Sequence, residues 1–146
     1  MAYRDDTLCG IFHSQALSLG DGVPFLMGKF DDEGEPFPDY RCLTWAAVRS
    51  EVIDLARGLI ALKVGRADKV AIFSESRPRW VIADQAIQAV RGIEVPLYPT
   101  LSRDELAYMI GDSESRIIIV STREKAEMAL AIRSQCPELR QVITMG

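Results

Sequence analysis

Four short apolar runs, the first three each followed by a turn and a helix-start signal, constrain this chain more than any other feature. Val70 to Phe73 is the first, Glu94 to Leu97 the second, Arg116 to Ser121 the third and Gln141 to Met145 the fourth. Runs of four or five apolar or β-branched residues suit strands buried on both faces of a sheet, whereas a strand wetted on one face would alternate. Between them the spacing becomes helical. Pro78 stands where the first turn of a helix tolerates proline, and Trp80, Ala83, Ile87 and Val90 follow at steps of three and four. Ser102 and Glu105 have capping-box spacing, Leu101 and Leu106 flank them as a hydrophobic staple, and Gly111 fits the stop. Thr122 caps a last helix that must end before Cys136-Pro137. Strands joined by crossovers of this length form a parallel sheet with helices on both faces.

Ahead of this region the pattern differs. Residues 1–22 show weak periodicity and close on the turn signal Gly20-Asp21-Gly22. Pro24 to Phe30 and Tyr40 to Leu43 read as a hairpin with a long acidic tip from Asp31 to Asp39. Thr44 is placed to cap a helix whose Trp45, Val48, Val52, Leu55 and Leu59 make one apolar stripe. The expected fold class is therefore α/β: a doubly wound parallel sheet preceded by a β-hairpin and a helix. A single domain over 1–146 is expected, with the hairpin and helix at about 23–62 and the parallel part at about 68–146. No internal repeat or linker marks a second domain.

Composition removes several functions. With 48% hydrophobic residues in 146, the chain can bury a core; 17 basic against 21 acidic side chains, net −4, leave no contiguous block to attract nucleic acid or an anionic surface. No apolar run approaches the roughly 20 residues of a membrane span, and the first 30 residues lack the order of a signal peptide, so a cytoplasmic location is the default. Cys9, Cys42 and Cys136 are too few and too far apart for a disulfide framework or zinc site, and His13 is the sole histidine. Asp31, Asp32, Glu33 and Glu35 lack the spacing of a calcium loop, with Pro36 and Pro38 among them. No metal ligand set and no catalytic residue is expected.

Ligands of open parallel sheets bind at the carboxyl ends of the strands, which directs attention to Ser74 to Arg77, Tyr98 to Leu101 and Ser121 to Thr122. The first loop has no glycine, against a nicotinamide or flavin site, and Ser74-Glu75 does not supply the acidic cluster of a phosphoacceptor domain. Candidate substrate-binding residues are Arg77, which could hold an anion at a helix start, and Tyr98 and Thr100, which bring hydroxyls on a loop stiffened by proline. Each also has a plain structural reading: a surface ion pair for Arg77, packing for Tyr98, turn-shaping for Thr100.

Two blocks carry a resemblance. Ser74-Glu-Ser-Arg-Pro-Arg-Trp80 and Val95-Pro-Leu-Tyr-Pro-Thr100 are similar to the Ser-Glu-Asn-Arg-Pro-Glu-Trp and Val-Pro-Ile-Tyr-Pro-Thr blocks of long-chain fatty-acid–CoA ligases, within the AMP-binding, adenylate-forming superfamily. The likeness runs roughly from Leu43 to Val142. It departs where Lys63-Val-Gly-Arg-Ala-Asp68 replaces the usual Gly-Val-Lys-Pro-Gly-Asp and Arg91-Gly-Ile the usual Gly-Ala-Val. The resemblance implies a parent enzyme that uses ATP and magnesium to make an acyl-adenylate and passes the acyl group to coenzyme A. The family's phosphate loop, its Tyr-Gly-x-Thr-Glu and Thr-Gly-Asp blocks and its carboxy-terminal lysine are absent from this sequence. The chain is thus expected to be an amino-terminal scaffold fragment, with no cofactor of its own, inactive alone and partnered by the rest of the parent chain. Two alternatives stay open: a synthetase for another carboxylic acid, and a noncatalytic self-association module. Apolar surface and an unpaired last strand favour self-association, a homodimer through residues 1–40 being one form. Peripheral membrane contact is compatible with this reading; a transmembrane segment is not.

Overall fold

The computed structural model describes residues 7–30 and 36–145, so the acidic residues Asp31, Asp32, Glu33 and Glu35 lie outside it. Along the chain run α1 (Leu8–Leu19), β1 (Pro24–Phe30), β2 (Pro36–Thr44), α2 (Trp45–Ala61), β3 (Lys69–Phe73), α3 (Pro78–Ala89), β4 (Ile93–Leu97), α4 (Arg103–Ser113), β5 (Ile117–Val120), α5 (Arg123–Ala131) and β6 (Gln141–Thr144). Strands β1 and β2 pair antiparallel with Met27 opposite Cys42; the other four form a parallel sheet in the order β4-β3-β5-β6. This is the α/β class expected.

Alternation along the central strand builds two cores. Val70 and Ile72 of β3, with Ile117 and Ile119 of β5, face Val48, Val52 and Leu59 of α2, Ile82, Ala83 and Ile87 of α3, and Phe12 of α1. Ala71 and Phe73, with Ile118 and Val120, face Leu106 and Ile110 of α4, Ala129 of α5, and Ile132 and Leu139. Successive side chains of a strand point to opposite faces, so a run apolar at every position has to be covered on both.

Local chemistry sets the helix ends. The Thr44 hydroxyl accepts from the Ala47 amide at 3.1 Å, Thr122 from Lys125 at 3.3 Å, and the Ser102–Glu105 capping box is closed in both directions. Three expectations need correction. Helix α1 occupies a stretch read only as weakly periodic: Thr7 caps it and it ends at Gly20 (φ 55), but Leu8, Ile11 and Leu17 are exposed, so its apolar residues form no single stripe. Phe12 fixes it by meeting Phe25 and Trp45, each at 6.0 Å between ring centroids, while Phe25 and Trp45 stack at 3.8 Å. Strand β2 starts at Pro36, not Tyr40, which shortens the hairpin tip. Helix α4 passes Gly111 and stops at Glu114, in the left-handed conformation at φ 52. Trp80, on the same face of α3 as Ala83 and Ile87, is partly buried and packs against the edge of the first core.

One polar knot lies beside this core. Asp84 accepts from Gln88 at 2.6 Å and Gln85 at 3.0 Å, and Glu94 Oε1 and Gln85 Oε1 are buried without a partner among the described residues. Burial first, then a hydrogen bond and repulsion from Asp84, push the Glu94 carboxyl up to about 7. The folded chain therefore keeps a proton that the unfolded chain releases near 4.5, and the stability this provides is complete below 4.5 and lost as pH rises through about 7.

Two outcomes are expected. Leu59→Ala, at a fully buried position, costs about 3 kcal/mol in urea unfolding; a loss below about 1 kcal/mol would place Leu59 outside the core. Glu94→Gln flattens the dependence of melting temperature on pH between 5 and 8 and raises it at pH 8. An unchanged slope would show that Glu94 does not carry it.

Candidate functional site

Strand β3 is followed by β4 on one side and, across the sheet, by β5 and β6 on the other. Helix α3 crosses on the first core's face and α4 and α5 on the second's. The connections therefore diverge between the carboxyl ends of β3 and β5, which is where open α/β sheets place their ligand crevice.

The residues there close on one another. Ser121 Oγ donates to Glu75 Oε2 at 2.6 Å, Lys125 Nζ is bonded to Glu75 Oε1, and Arg77 Nη1 donates to the Ser121 carbonyl at 3.2 Å. Ser74 Oγ turns back to the Glu75 carbonyl at 2.9 Å, and Lys125 Nζ also lies 5.4 Å from the centre of the Phe73 ring. Thr122, by capping α5, sets the first turn that carries Lys125. Burial pushes the Glu75 carboxyl up, but the hydrogen bonds from Lys125 and Ser121 outweigh it and hold the group at about 2. The cluster stitches the loop after β3 to the loop after β5.

Of the three residues singled out from the sequence, the structure brings only Arg77 into this cluster. Tyr98 and Thr100 stand on the neighbouring loop after β4, both exposed, and Tyr98, 78% exposed, does not pack as its structural reading supposed. Their loop is held by the Leu101 amide donating to the Tyr98 carbonyl at 3.3 Å. Glu75, Ser121 and Lys125 were not identified from the sequence. Strand ends mark Glu75 and Ser121 as loop residues, but nothing local signals a hydrogen bond across 46 positions.

As a donor set, this edge does not fit a nucleotide triphosphate. It holds a carboxylate, and its two cations are engaged with Glu75 and Ser121, whereas triphosphate binding calls for converging amides of a glycine-rich loop and a free lysine. Among the described residues no group of three or more His, Cys, Asp or Glu side chains is arranged to hold a metal, and no helix is long and apolar enough to cross a membrane.

The Glu75 carboxylate contributes stability that is present above pH 4.5 and lost as pH falls through about 2. Half of its side chain is in water, at 51% exposed, so screening limits the loss in Glu75→Gln at pH 7 to about 1 kcal/mol. Urea midpoints of parent and variant should differ at pH 7 and converge towards pH 2; a gap that persists at pH 2 would contradict the assignment.

Three comparisons set this geometry among known proteins. Residues 28–146 match the family model described as AMP-binding enzyme. The long-chain-fatty-acid–CoA ligase FadD15 of Mycobacterium bovis is 36% identical over 104 residues, 71% of this chain and 17% of the relative; the long-chain-fatty-acid–CoA ligase 6 of Mus musculus is 32% identical over 98% of this chain and 20% of the relative. The chain therefore spans about a fifth of the length of these curated relatives. Among solved structures, a fatty acyl CoA synthetase of Mycobacterium tuberculosis superposes with a TM-score of 0.73 at 19% identity, over 93% of this chain and 26% of that one, and shares the fold. With most of its length matching the family model and two ligases above 30% identity, this chain belongs to the AMP-binding, adenylate-forming enzyme family.

Proposed function

We propose that this chain is the amino-terminal scaffold of an ATP-dependent long-chain fatty-acid–CoA ligase working in the cytoplasm. The reading treats residues 1–146 as one domain and as a fragment of a longer parent. That parent would join a fatty acid to coenzyme A through an acyl-adenylate, with ATP and magnesium bound by residues outside this sequence. The observation that carries the reading is the match of a family model to residues 28–146 together with relatives named for long-chain fatty acids. The chain's own part is to hold a rigid sheet: β3 and β5 are buried on both faces, and the loops after them are tied by Glu75, Ser121 and Lys125. Arg77, Tyr98 and Thr100 then stand at the carboxyl edge as the residues nearest to a bound substrate in the parent.

A segment exchange tests this. Residues 43–142 replace the aligned segment of FadD15, and fatty-acid- and ATP-dependent acyl-CoA formation is measured for the chimera and for the 146-residue chain. Activity in the chimera and none in the chain alone is expected. A folded chimera without activity would argue against the ligase reading, and fatty-acid-dependent pyrophosphate exchange by the chain alone against the scaffold role.

A further inference from the structure

Helix α1 is tied to the rest of the fold differently at its two ends. Beyond its carboxyl end the Ala46 amide donates to the Gly20 carbonyl at 3.1 Å, the Trp45 amide to the Val23 carbonyl at 3.3 Å, and the Thr44 hydroxyl to Asp21 at 3.1 Å. Between the helix and these ties stands Gly20, at φ 55 and ψ −138, a conformation that glycine adopts readily and other residues do not. Along the rest of its length α1 is held through side chains. Cys9, Phe12 and Ala16 form its buried stripe, and His13, one turn after Cys9, stands on the rim of that stripe against α2.

There it meets a cation. Arg49 Nε donates to His13 Nδ1 at 3.1 Å, and Arg49 Nη2 lies 3.3 Å from His13 Nε2, both side chains being half-buried. A guanidinium has donors alone and keeps its charge, so the contact needs a neutral ring with a lone pair at Nδ1. Burial first, then the charges of Arg49 and of the amino terminus, hold the imidazole below its ordinary 6.5. The acids on the helices packed against α1 are directed elsewhere: Glu51 to Arg79 at 3.9 Å, Asp54 to Arg57 at 3.3 Å, and Asp84 to Gln85 and Gln88. Burial and then the Asp84 charge raise the Cys9 thiol, one turn before His13, while β1 presents the apolar Phe25. Helix α1 contains no Asp, Glu, Lys or Arg, so His13 is its one group that changes charge near neutral pH.

We propose that α1 is an acid-released strap: protonation of His13 breaks its contact with Arg49, and α1 swings about Gly20 off its seat on Phe25 and Trp45 while the sheet stays folded. A proton on the ring removes the acceptor and sets two cations 3.1 Å apart. In the released helix His13 faces water and takes up its proton near 6.5; in the seated helix it does so only at lower pH, so acid favours release. The effect is absent above 6.5, grows as pH falls below it and is complete beneath the seated value. The sheet does not depend on the strap, because α2 and α3 cover one face of β3 and β5, and α4 and α5 the other. General acid loosening would look different, since the proton on Glu94 stabilises the fold as pH falls. The strap stands whether or not the chain serves a ligase.

Amide hydrogen exchange of the 146-residue chain, read residue by residue by NMR, tests it. Corrected for intrinsic rates, the Phe12 and Ala16 amides should exchange several-fold faster at pH 5 than at pH 7.5, with Ile72 and Ile119 unchanged. In Trp80→Phe, where Trp45 is the one remaining tryptophan, emission should shift to the red over the same interval. The single imidazole should titrate below 6.5, and Arg49→Gln should raise its midpoint and weaken the pH dependence of exchange. His13→Gln keeps an acceptor but takes up no proton, and should hold α1 seated at pH 5. Circular dichroism confirms that each variant is folded, and Arg49→Gln decides alone if His13→Gln is not. Equal α1 protection at both pH values, an imidazole midpoint at or above 6.5, a pH dependence that survives in His13→Gln or is unmoved in Arg49→Gln, or loss of protection in β3 and β5 together with α1 would each overturn the proposal.

Discussion

The constraint on which everything else depends is the double burial of β3. Val70, Ala71, Ile72 and Phe73 are all excluded from water, so no face of this strand can be left open. Hydrogen bonds from β4 on one side and β5 on the other satisfy its backbone, and the alternation of its side chains requires a helical layer above and another below. The aromatic contact of Phe12, Phe25 and Trp45 is a consequence: it seats α1 and the hairpin on the layer that α2 has already built.

How much of this could be read from the sequence follows from the range of each signal. Ser102, Thr44 and Thr122 act on amides three residues away, so their helices were legible from local wording. Strands β3 and β5 were legible because double burial leaves an uninterrupted apolar run. Helix α1 was not, since its apolar residues are divided between a buried face and an exposed one, and only its packing against Phe25 and Trp45 selects the face. Glu114 illustrates a different limit. A left-handed cap is expected of glycine, and Gly111 drew the boundary three residues too early. The carboxyl-edge cluster was least legible of all, because Ser121 and Lys125 reach Glu75 across the sheet and depend on the β3–β5 register.

The two ends of the sheet treat charge in opposite ways. At the carboxyl end, Glu75 gathers Ser121 and Lys125 and leaves a closed network. At the amino end, the β5 side is also closed, by Asp68 with Arg116 and Lys69 with Glu114, but the β4 side is not. Charge counting along the chain averages these together and returns a mildly acidic protein. Folding separates them, because Arg66 and Arg91 are 25 positions apart in sequence and line one groove.

The two outer strands are also unequal. Proline within β4 removes a donor at Pro96, and proline is tolerated in sheets at edges, so β4 is suited to be a boundary. Strand β6 has no such interruption: the Gln141 and Met145 amides donate to the Arg116 and Val120 carbonyls on the β5 side, the alternate residues Val142 and Thr144 turn their backbone groups away from β5, and a recess lined by Leu55, Ile82, Ile119, Ile143 and Met145 opens beside them. Backbone pairing and apolar burial are therefore both unsaturated at β6 and both limited at β4. What β4 carries instead is Ile93 and, at its entry, Arg91, groups suited to a surface rather than to another strand.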